Sequence, residues 1–322
     1  GGLGAMGTPG VDLEECLTVA RRAAEEAGNI IFEALSQPRD ASRLMSKGGV
    51  DLVTETDLAC EKLIVEAIRA HFPGHVIIGE ESFTGQELTD APTWLVDPLD
   101  GTTNFTCRIP LLCVLVALCV ERRPVVGVIY NPKLGEMYTA VKGKGAELNG
   151  YPIRVSPNST LGEAVVINNV GKSRDPAFID KTLFRVQSLL LRGVRGVRNW
   201  ASAGVCMADA ASGRVECYYE DGYGGPWDVA AGIIIVQEAG GIVKRLDGTV
   251  MDQLSTSDDV VVCGNPGVVD EVIRLVGVAG PFRRVVSTWP AVGGWEAAVC
   301  TAVLAAAAAV GFAGGLAWGG RS

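Results

Sequence analysis

Histidine is scarce in this chain, which has only two, His71 and His75, among its 322 residues. Catalysis by a Ser-His-Asp arrangement needs a histidine as general base, and most zinc sites use histidine or paired cysteines. Both histidines lie in a turn-like stretch that contains Pro73 and Gly74. The sequence is therefore poorly supplied for either class of site.

Cysteine motifs are also missing, because no two of the nine cysteines form a CxxC pair and their number is odd. Most lie in apolar runs such as residues 111–120, where a thiol behaves as a small hydrophobic group. This pattern argues against a disulfide framework and favours an intracellular, reducing compartment. We expect the cytoplasm, with an organelle as the alternative because the chain begins with Gly1 rather than Met.

Positive charge is in the minority, with 28 Lys and Arg against 37 Asp and Glu, for a net charge of −9. A negative surplus repels phosphate backbones, so we expect no nucleic-acid partner. A small anionic substrate stays compatible with it, because a bound metal reverses the local field. The hydrophobic content of 48% is that of a globular protein.

The first half of the chain is predicted to form two helices followed by a β-meander. The apolar period of 3.6 residues predicts helices over residues 12–36, with Asp12 as N-cap, and over residues 57–70. Apolar runs separated by turn residues predict strands over residues 76–78, 94–96, 111–120, 125–130 and 136–140. We expect the longer strands to pair antiparallel.

The second half alternates strands and helices, which is typical of a mostly parallel sheet covered by helices. The predicted strands are residues 164–167, 215–219, 242–245 and 260–263. The predicted helices are residues 176–191, 202–211, 227–239 and 268–276.

This pattern ends after residue 278. Residues 297–318 are uncharged and contain ten alanines and three glycines. The stretch is long enough to span a bilayer, but membrane insertion is driven by Leu, Ile, Phe and Val rather than by Ala. We therefore predict a folded domain over 11–278 and an Ala/Gly-rich extension over 279–322, which is either a tail anchor or disordered. Membrane association rests on this extension alone.

Acidic residues stand at the ends of predicted elements, namely Glu80, Asp97, Asp100 and Asp228. A carboxylate at the end of a buried strand must be paired, protonated or bound to a metal. Each residue alone has an ordinary explanation as a turn, a solvated surface group or a helix N-cap. Their occurrence together favours one shared site.

Asp97 and Asp100 are spaced so that both carboxylates can face one pocket. Pro98 favours an extended backbone at Asp97, and Gly101 permits a tight turn. Two ionised carboxylates about 4 Å apart repel by roughly 4 kcal/mol at an effective dielectric constant of 20. Protonation cannot relieve four such groups at pH 7, whereas divalent cations can. Oxygen ligands without His or Cys favour Mg²⁺, or Mn²⁺.

Several stretches together resemble the signature motifs of the inositol monophosphatase family. They are GEES at residues 79–82, WLVDPLDGTTNF at 94–105, WDVAAG at 227–232 and EAGG at 238–241. Residues 47–57 and 142–146 also match, and the resemblance covers about residues 12–276.

The resemblance implies an α/β (α+β) fold, a layered α-β-α-β-α sandwich of the type shared with fructose-1,6-bisphosphatase. It implies a homodimeric, Li⁺-sensitive phosphoric monoester hydrolase that uses two or three Mg²⁺ ions. Metal-activated water would release phosphate from a polyol monoester, above all myo-inositol monophosphate, in inositol metabolism and phosphatidylinositol signalling. Residues 11–278 would form the catalytic domain.

The resemblance also implies roles for individual residues. Thr102 and Asp57 would orient the attacking water together with Glu80. The metal ligands would be the side chains of Glu80, Asp97, Asp100 and Asp228 and the carbonyl of Leu99. The substrate would contact Gly101, Thr102, Ala201, Ser202, Ala203, Glu220 and Asp228.

The positions that depart from the family pattern affect recognition of the sugar rather than binding of the metal. Ala201 replaces the usual Gly, Cys107 replaces a commonly seen His, and the loop 220–228 is one residue longer. Sister phosphatases that act on galactose 1-phosphate, histidinol phosphate or a 3′-phosphonucleotide therefore stay alternatives. A non-catalytic scaffold on the same fold is a more remote one.

Overall fold

The computed structural model describes residues 11–37, 44–48, 51–258 and 260–277. The chain divides into two units, Gly1–Ala279 and Gly280–Ser322, and all described residues belong to the first. The extension predicted over 279–322 lies outside the described residues. Among the helices that the structure describes, none is both long and apolar enough to cross a membrane.

The described elements begin with helix α1 and end with helix α7. The helices are α1 (Leu13–Ser36), α2 (Glu55–His71), α3 (Thr102–Cys107), α4 (Pro176–Leu191), α5 (Ala203–Ala211), α6 (Pro226–Glu238) and α7 (Pro266–Val276), with a short 3₁₀ turn at Leu161–Glu163. The strands are β1 (Leu44–Gly48), β2 (Asp51–Thr54), β3 (Val76–Gly79), β4 (Thr93–Asp100), β5 (Cys113–Val120), β6 (Arg123–Asn131), β7 (Glu136–Val141), β8 (Gly145–Leu148), β9 (Tyr151–Pro152), β10 (Val165–Asn168), β11 (Gly196–Arg198), β12 (Cys217–Asp221), β13 (Ile242–Lys244) and β14 (Val260–Gly264).

Strand β5 lies inside the larger sheet and is buried along its whole length. Its side chains alternate between two cores: Val114 and Val116 face one, and Cys113 and Leu115 face the other. A strand covered on both faces needs a continuous apolar run rather than an alternating one. This is why the sequence between residues 111 and 120 is apolar throughout.

The larger sheet has seven strands in the order β3-β4-β5-β6-β7-β8-β9. Strands β3 and β4 pair parallel, and the remaining pairs are antiparallel, which confirms the predicted meander. A separate pair, β1 and β2, is antiparallel.

The smaller sheet has five strands in the order β11-β10-β12-β14-β13. Only the pairs that β10 makes with β11 and β12 are parallel. Strand β14 pairs antiparallel with both β12 and β13, so the prediction of a mostly parallel sheet was wrong. The physical reason is that β13 connects to β14 without a crossover helix, and such a connection joins antiparallel neighbours.

The elements stack in five layers, as the fold prediction required. Helices α1 and α2 cover the outer face of the larger sheet, and α4 and α7 cover the outer face of the smaller one. Helices α5 and α6 lie between the sheets. The predicted α-β-α-β-α sandwich is therefore confirmed.

Helix α6 is apolar on all sides because it is buried between the two sheets. It approaches β6 so closely that a Cβ added at Gly127 would lie 2.5 Å from Cγ2 of Ile234. This packing fixes the helix against the larger sheet. Asp228, in the first turn of α6, interacts electrostatically with Asp100 at the end of β4.

Candidate active site

Strand β4 carries the acidic motif within the strand rather than after it. We predicted that the strand ends at residue 96, but it continues to Asp100. Asp97 pairs with Leu115 and Asp100 with Cys113, so the register shifts by one residue between them. A bulge of this kind tolerates Pro98, which has no N–H to donate. Extended pairing therefore places both carboxylates at the end of a buried strand.

Four carboxylates interact at this edge of the larger sheet. Asp97 is 2% exposed, and burial raises its pKa, as do the charges of Glu80, Asp100 and Asp228 and a hydrogen bond with the Glu80 side chain. Burial also raises the pKa of Asp228, and the charges of Asp100 and Glu80 add to this effect. The sequence motifs that lie far apart in the chain thus come together in space.

Asp100 is held by the first residues of α5. Its Oδ2 accepts hydrogen bonds from Ser202 Oγ at 2.6 Å and from Gly204 N at 2.6 Å. Its Oδ1 accepts from Ala203 N at 3.2 Å. Burial raises the pKa of Asp100 to about 6, although the hydrogen bonds from Ser202 and Gly204 oppose this rise. Ser202 also caps α5 by accepting from Val205 N.

Asp228 lies in the third position of α6, and the N-cap of that helix is Gly225. The carboxylate reaches back, so that Oδ2 accepts a hydrogen bond from Gly224 N at 2.6 Å. Asp228 is therefore not the N-cap of α6. The glycine-rich loop before α6 instead presents a backbone N–H to this carboxylate.

Glu80 follows β3 in a turn that is held in place by the side chain of Glu61. Glu61, on α2, is 5% exposed, and its Oε2 accepts a hydrogen bond from Glu81 N at 2.8 Å. A Cβ added at Gly79 would lie 2.5 Å from Cδ of Glu61. Glycine at position 79 thus lets the buried carboxylate reach the turn that carries Glu80.

Thr102 and Asp57 lie together beside the Leu99 carbonyl. Thr102 Oγ1 is 3.3 Å from Asp57 Oδ1 and 3.2 Å from Leu99 O. A hydroxyl that donates to either acceptor keeps its lone pairs for a water molecule. Gly101, which precedes α3, has a φ of +89°, in the left-handed region that favours glycine. The tight turn predicted at Gly101 is confirmed.

Glu220, near the end of β12, faces the same site from the smaller sheet. Its Oε2 accepts a hydrogen bond from Asn169 Nδ2 at 2.8 Å and another from the Tyr218 hydroxyl. Burial raises the pKa of Glu220, and these two hydrogen bonds oppose the rise. Its charge in turn raises the pKa values of Asp100 and Asp228.

The donor chemistry of the cluster suits a hard divalent cation. The candidate ligands are carboxylate oxygens and the Leu99 carbonyl, and burial, with neighbouring negative charges as a smaller cause, raises the pKa values of Asp97, Asp100 and Asp228. In this structure the described carboxylates do not form a compact set of metal ligands. Within the described ranges, no three Asp, Glu, His or Cys side chains have the tight grouping of a metal site. Asp100 and Asp228 instead use backbone N–H groups as partners.

Sequence reasoning missed two side chains that shape the site, Glu61 and Asn169. Glu61 shares the inward stripe of α2 with Cys60, Ile64 and Ile68, so a buried carboxylate could have been found from the helical period. No sequence signal identified Asn169, because its hydrogen-bond partners lie far along the chain, in β12, in the turn before α5 and in α5.

Comparison with known proteins shows the family to which the chain belongs. The model of the inositol monophosphatase family matches residues 12–276. Inositol monophosphatase 2 of Solanum lycopersicum is 47% identical over 244 residues, which cover 74% of this chain and 91% of that protein. Human inositol monophosphatase 1 is 37% identical over 274 residues, which cover 84% of this chain and 97% of that protein.

A solved structure shows the same likeness in three dimensions. Inositol monophosphatase from Anabaena (Nostoc) sp. PCC 7120 superimposes with a TM-score of 0.70 at 32% sequence identity. The superposition covers 84% of this chain and 98% of that one. The likeness thus extends over both sheets and the helices between them.

Proposed function

The chain belongs to the inositol monophosphatase family, and from this premise we propose that it hydrolyses myo-inositol monophosphate to myo-inositol and phosphate. The observation that carries the proposal is the convergence of four carboxylates, Glu80, Asp97, Asp100 and Asp228, beside the Thr102–Asp57 pair. Interacting groups of one charge, next to a hydroxyl that can bind water, suit metal-assisted phosphate hydrolysis.

The family is metal-dependent, and Li⁺ inhibition is typical of it. We propose Mg²⁺ as the cofactor, in two or three ions, with Mn²⁺ as a substitute. Glu80, Asp97 and the Leu99 carbonyl would hold one ion, and Asp97, Asp100 and Asp228 another. When bound, the ions supply an activated water and neutralise charge on the phosphate. Asp100 would exchange backbone N–H partners for this role.

The remaining site residues bind and orient the substrate. Thr102 and Asp57 hold the attacking water, while Gly101 and Thr102 present backbone N–H groups to the phosphate at the start of α3. Ser202 and Ala203 and the neighbouring Ala201 line the sugar side. Glu220 accepts hydrogen bonds from ring hydroxyls, a role that suits an ionised carboxylate. Asp228 would contact both the cation and the substrate.

The oligomeric state is proposed to be a homodimer. Helix α4 presents an exposed apolar stripe of Ile179, Leu183, Leu190 and Leu191, the last of which is 74% exposed. Exposed apolar patches on soluble proteins mark contact surfaces, and a second copy of this chain is the occupant we propose. Light scattering of the purified protein should give twice the monomer mass of 33.7 kDa.

We propose further that residues 11–278 are the catalytic domain and that the protein works in a reducing, intracellular compartment, the cytoplasm first. The role of residues 279–322 is decided by membrane flotation with and without that segment. Flotation that depends on the segment identifies a tail anchor.

The substrate proposal is tested by phosphate release from a panel of monoesters, with and without Mg²⁺. We expect inositol 1-phosphate to give the highest kcat/KM, and no turnover in EDTA. Preference for galactose 1-phosphate, histidinol phosphate or a 3′-phosphonucleotide would replace the proposed substrate. Absence of turnover with every ester would favour the non-catalytic scaffold.

A further inference from the structure

Asn169 lies directly after β10, where it joins the two sides of the sugar site. Its Nδ2 donates to Glu220 Oε2 at 2.8 Å. Its Oδ1 accepts hydrogen bonds from the backbone N–H groups of Ala201, at 3.0 Å, and Trp200, at 3.3 Å. The Asn169 side chain therefore connects Glu220, the carboxylate proposed to bind ring hydroxyls, to the turn that precedes α5.

The orientation of the Asn169 amide is set by its partners. Ionised Glu220 only accepts hydrogen bonds, so the NH₂ group must face it, and backbone N–H groups only donate, so the amide oxygen must face them. An aspartate in this position would keep the second interaction but place a like charge against Glu220. A leucine of similar volume would lose both.

The turn that Asn169 holds has a strained backbone. Ala201 has a φ of +55°, in the left-handed region that non-glycine residues rarely adopt. The carbonyl of Trp200 accepts a hydrogen bond from Asn104 Nδ2 at 2.7 Å, so the turn is held from both sides. Asn169 on the N–H side and Asn104 on the carbonyl side together fix where Ser202 and α5 begin.

Glu220 itself is left with one oxygen for the substrate. Asn169 and the Tyr218 hydroxyl both donate to Oε2. Among the described residues, no donor lies on Oε1. The two donors therefore fix the rotation of the carboxylate and leave Oε1 as the oxygen that would accept from ring hydroxyls.

We propose that Asn169 is a positioning residue that sets the preference of the enzyme for polyol phosphates. It acts through Glu220 and Ala201 rather than by touching the reacting phosphate. The inference rests on the proposed function, because it concerns how ring hydroxyls are read. It predicts that loss of the amide weakens recognition of the ring more than it affects the chemistry at phosphorus.

The test compares two substrates in one enzyme sample. The readout is kcat/KM for inositol 1-phosphate divided by kcat/KM for phenyl phosphate, which has no ring hydroxyls for Glu220 to bind. Both substrates report on the same folded molecules, so the ratio does not depend on how much of a variant is folded. The variants are Asn169→Asp and Asn169→Leu.

We expect both variants to lower this ratio about tenfold or more, the value of a lost hydrogen bond to a charged group. The matched control is Asn149→Asp, because Asn149 also bonds a turn through both ends of its amide, to Met137 N and Gly135 O, away from the site. Its ratio should equal that of the wild type.

The failures are distinguishable. A wild-type enzyme that hydrolyses phenyl phosphate but not inositol 1-phosphate would overturn the proposed substrate. A wild-type preference for inositol 1-phosphate that survives both Asn169 variants would overturn the role of Asn169 alone. An equal loss of activity on both substrates would likewise show that the residue is only structural.

Discussion

Glu220 and Asp221 are neighbours on β12, yet their carboxylates lie in opposite electrostatic surroundings. Asp221 faces α4, where it forms ion pairs with Arg185 and with Lys181, the latter at 2.7 Å. Burial opposes ionisation of Asp221, but these hydrogen bonds outweigh it and lower its pKa. Glu220 faces the carboxylate cluster, and burial raises its pKa.

The same contrast holds on a larger scale. On the α4 side, the partly buried carboxylate of Asp221 has an arginine partner, Arg185, which also bonds to Tyr219 and to the Val276 carbonyl. In the four-carboxylate cluster, namely Glu80, Asp97, Asp100 and Asp228, burial raises the pKa values of Asp97 and Asp228, and the charges of the cluster add to this rise. Placing several like charges together away from water is costly unless a cation or a proton neutralises them. The difference supports the proposal that the cluster is the cation site.

The largest effect is expected when the cluster loses one charge. Asp97→Asn keeps an acceptor for Leu99 N, now 3.0 Å from Asp97 Oδ1, but removes a ligand that both ions would share. We expect kcat for inositol 1-phosphate to fall by roughly 10² to 10³-fold. The thermal unfolding temperature in EDTA should not fall, because a repelling charge is gone.

Steady-state assays and thermal scans of Asp97→Asn check both halves of this expectation. Retained activity, or unfolding at a clearly lower temperature, would mean that Asp97 behaves like the ion-paired Asp221. The contrast between the two kinds of carboxylate would then be wrong.

For the ion-paired carboxylate Asp221, we expect removal of a partner to lower the stability of the protein. Arg185→Met removes the more buried of the two cations paired with Asp221, together with its bonds to Tyr219 and the Val276 carbonyl, and should lower the free energy of unfolding by about 3 kcal/mol. Lys181, which is 43% exposed, is the matched control, and Lys181→Met should cost less than about 1 kcal/mol. Urea denaturation measures both. Equal values would mean that burial does not distinguish the two cations.

A pH series on Asp100→Asn sharpens the comparison. The folded-state pKa of Asp100, about 6, lies above the ordinary value of 3.8. A carboxyl with a raised pKa binds its proton more tightly when folded, so the wild type loses stability as the pH rises from about 4 to about 6. The Asp100→Asn variant has no carboxyl at this position and therefore does not lose stability in this way.

Measured in EDTA, the stability of Asp100→Asn relative to the wild type should therefore increase by roughly 2 kcal/mol across that range and stay constant above it. A difference independent of pH would contradict the raised pKa. Added Mg²⁺ should reduce the difference, since the cation stabilises the ionised wild type.

Much of the candidate site and of the fold could be predicted from the sequence, and part could not. The motifs around Asp97 and Asp228 and the apolar run of β5 were recognised because each is local. The mixed smaller sheet and the continuation of β4 through Pro98 were missed, because strand pairing depends on partners far along the chain. Asn169 was missed for the same reason, as its contacts join β10, the turn before α5 and β12.

A smaller effect is expected at the turn that carries Glu80, where Glu61 is a buried carboxylate satisfied by a backbone N–H. Gly79→Ala would place a Cβ 2.5 Å from Glu61 Cδ and displace that side chain. We expect Mg²⁺ affinity to weaken about tenfold, as for other changes to supporting contacts. Gly74→Ala is the control, because its Cβ would meet no atom within 4 Å. Calorimetric titration that finds the two variants alike would rule out this support.

The smallest effect concerns the strained turn beside the cluster. Ala201→Gly removes about 1 kcal/mol of backbone strain at φ +55° but gives the unfolded chain more freedom. We expect a net stabilisation of roughly 0.5 kcal/mol by urea denaturation. Ala211→Gly, in α5, should instead destabilise the protein by about 1 kcal/mol. A loss of stability in both would show that the turn carries no strain.

The most direct test of the cluster is calorimetric titration of the purified protein with Mg²⁺ at pH 7. The wild type should show saturable cation binding, Arg185→Met should retain it, and Asp228→Asn should lose most of it. A wild-type protein that takes up no Mg²⁺, or an Asp228→Asn variant that binds it as tightly, would contradict the assignment of these carboxylates as the cation site.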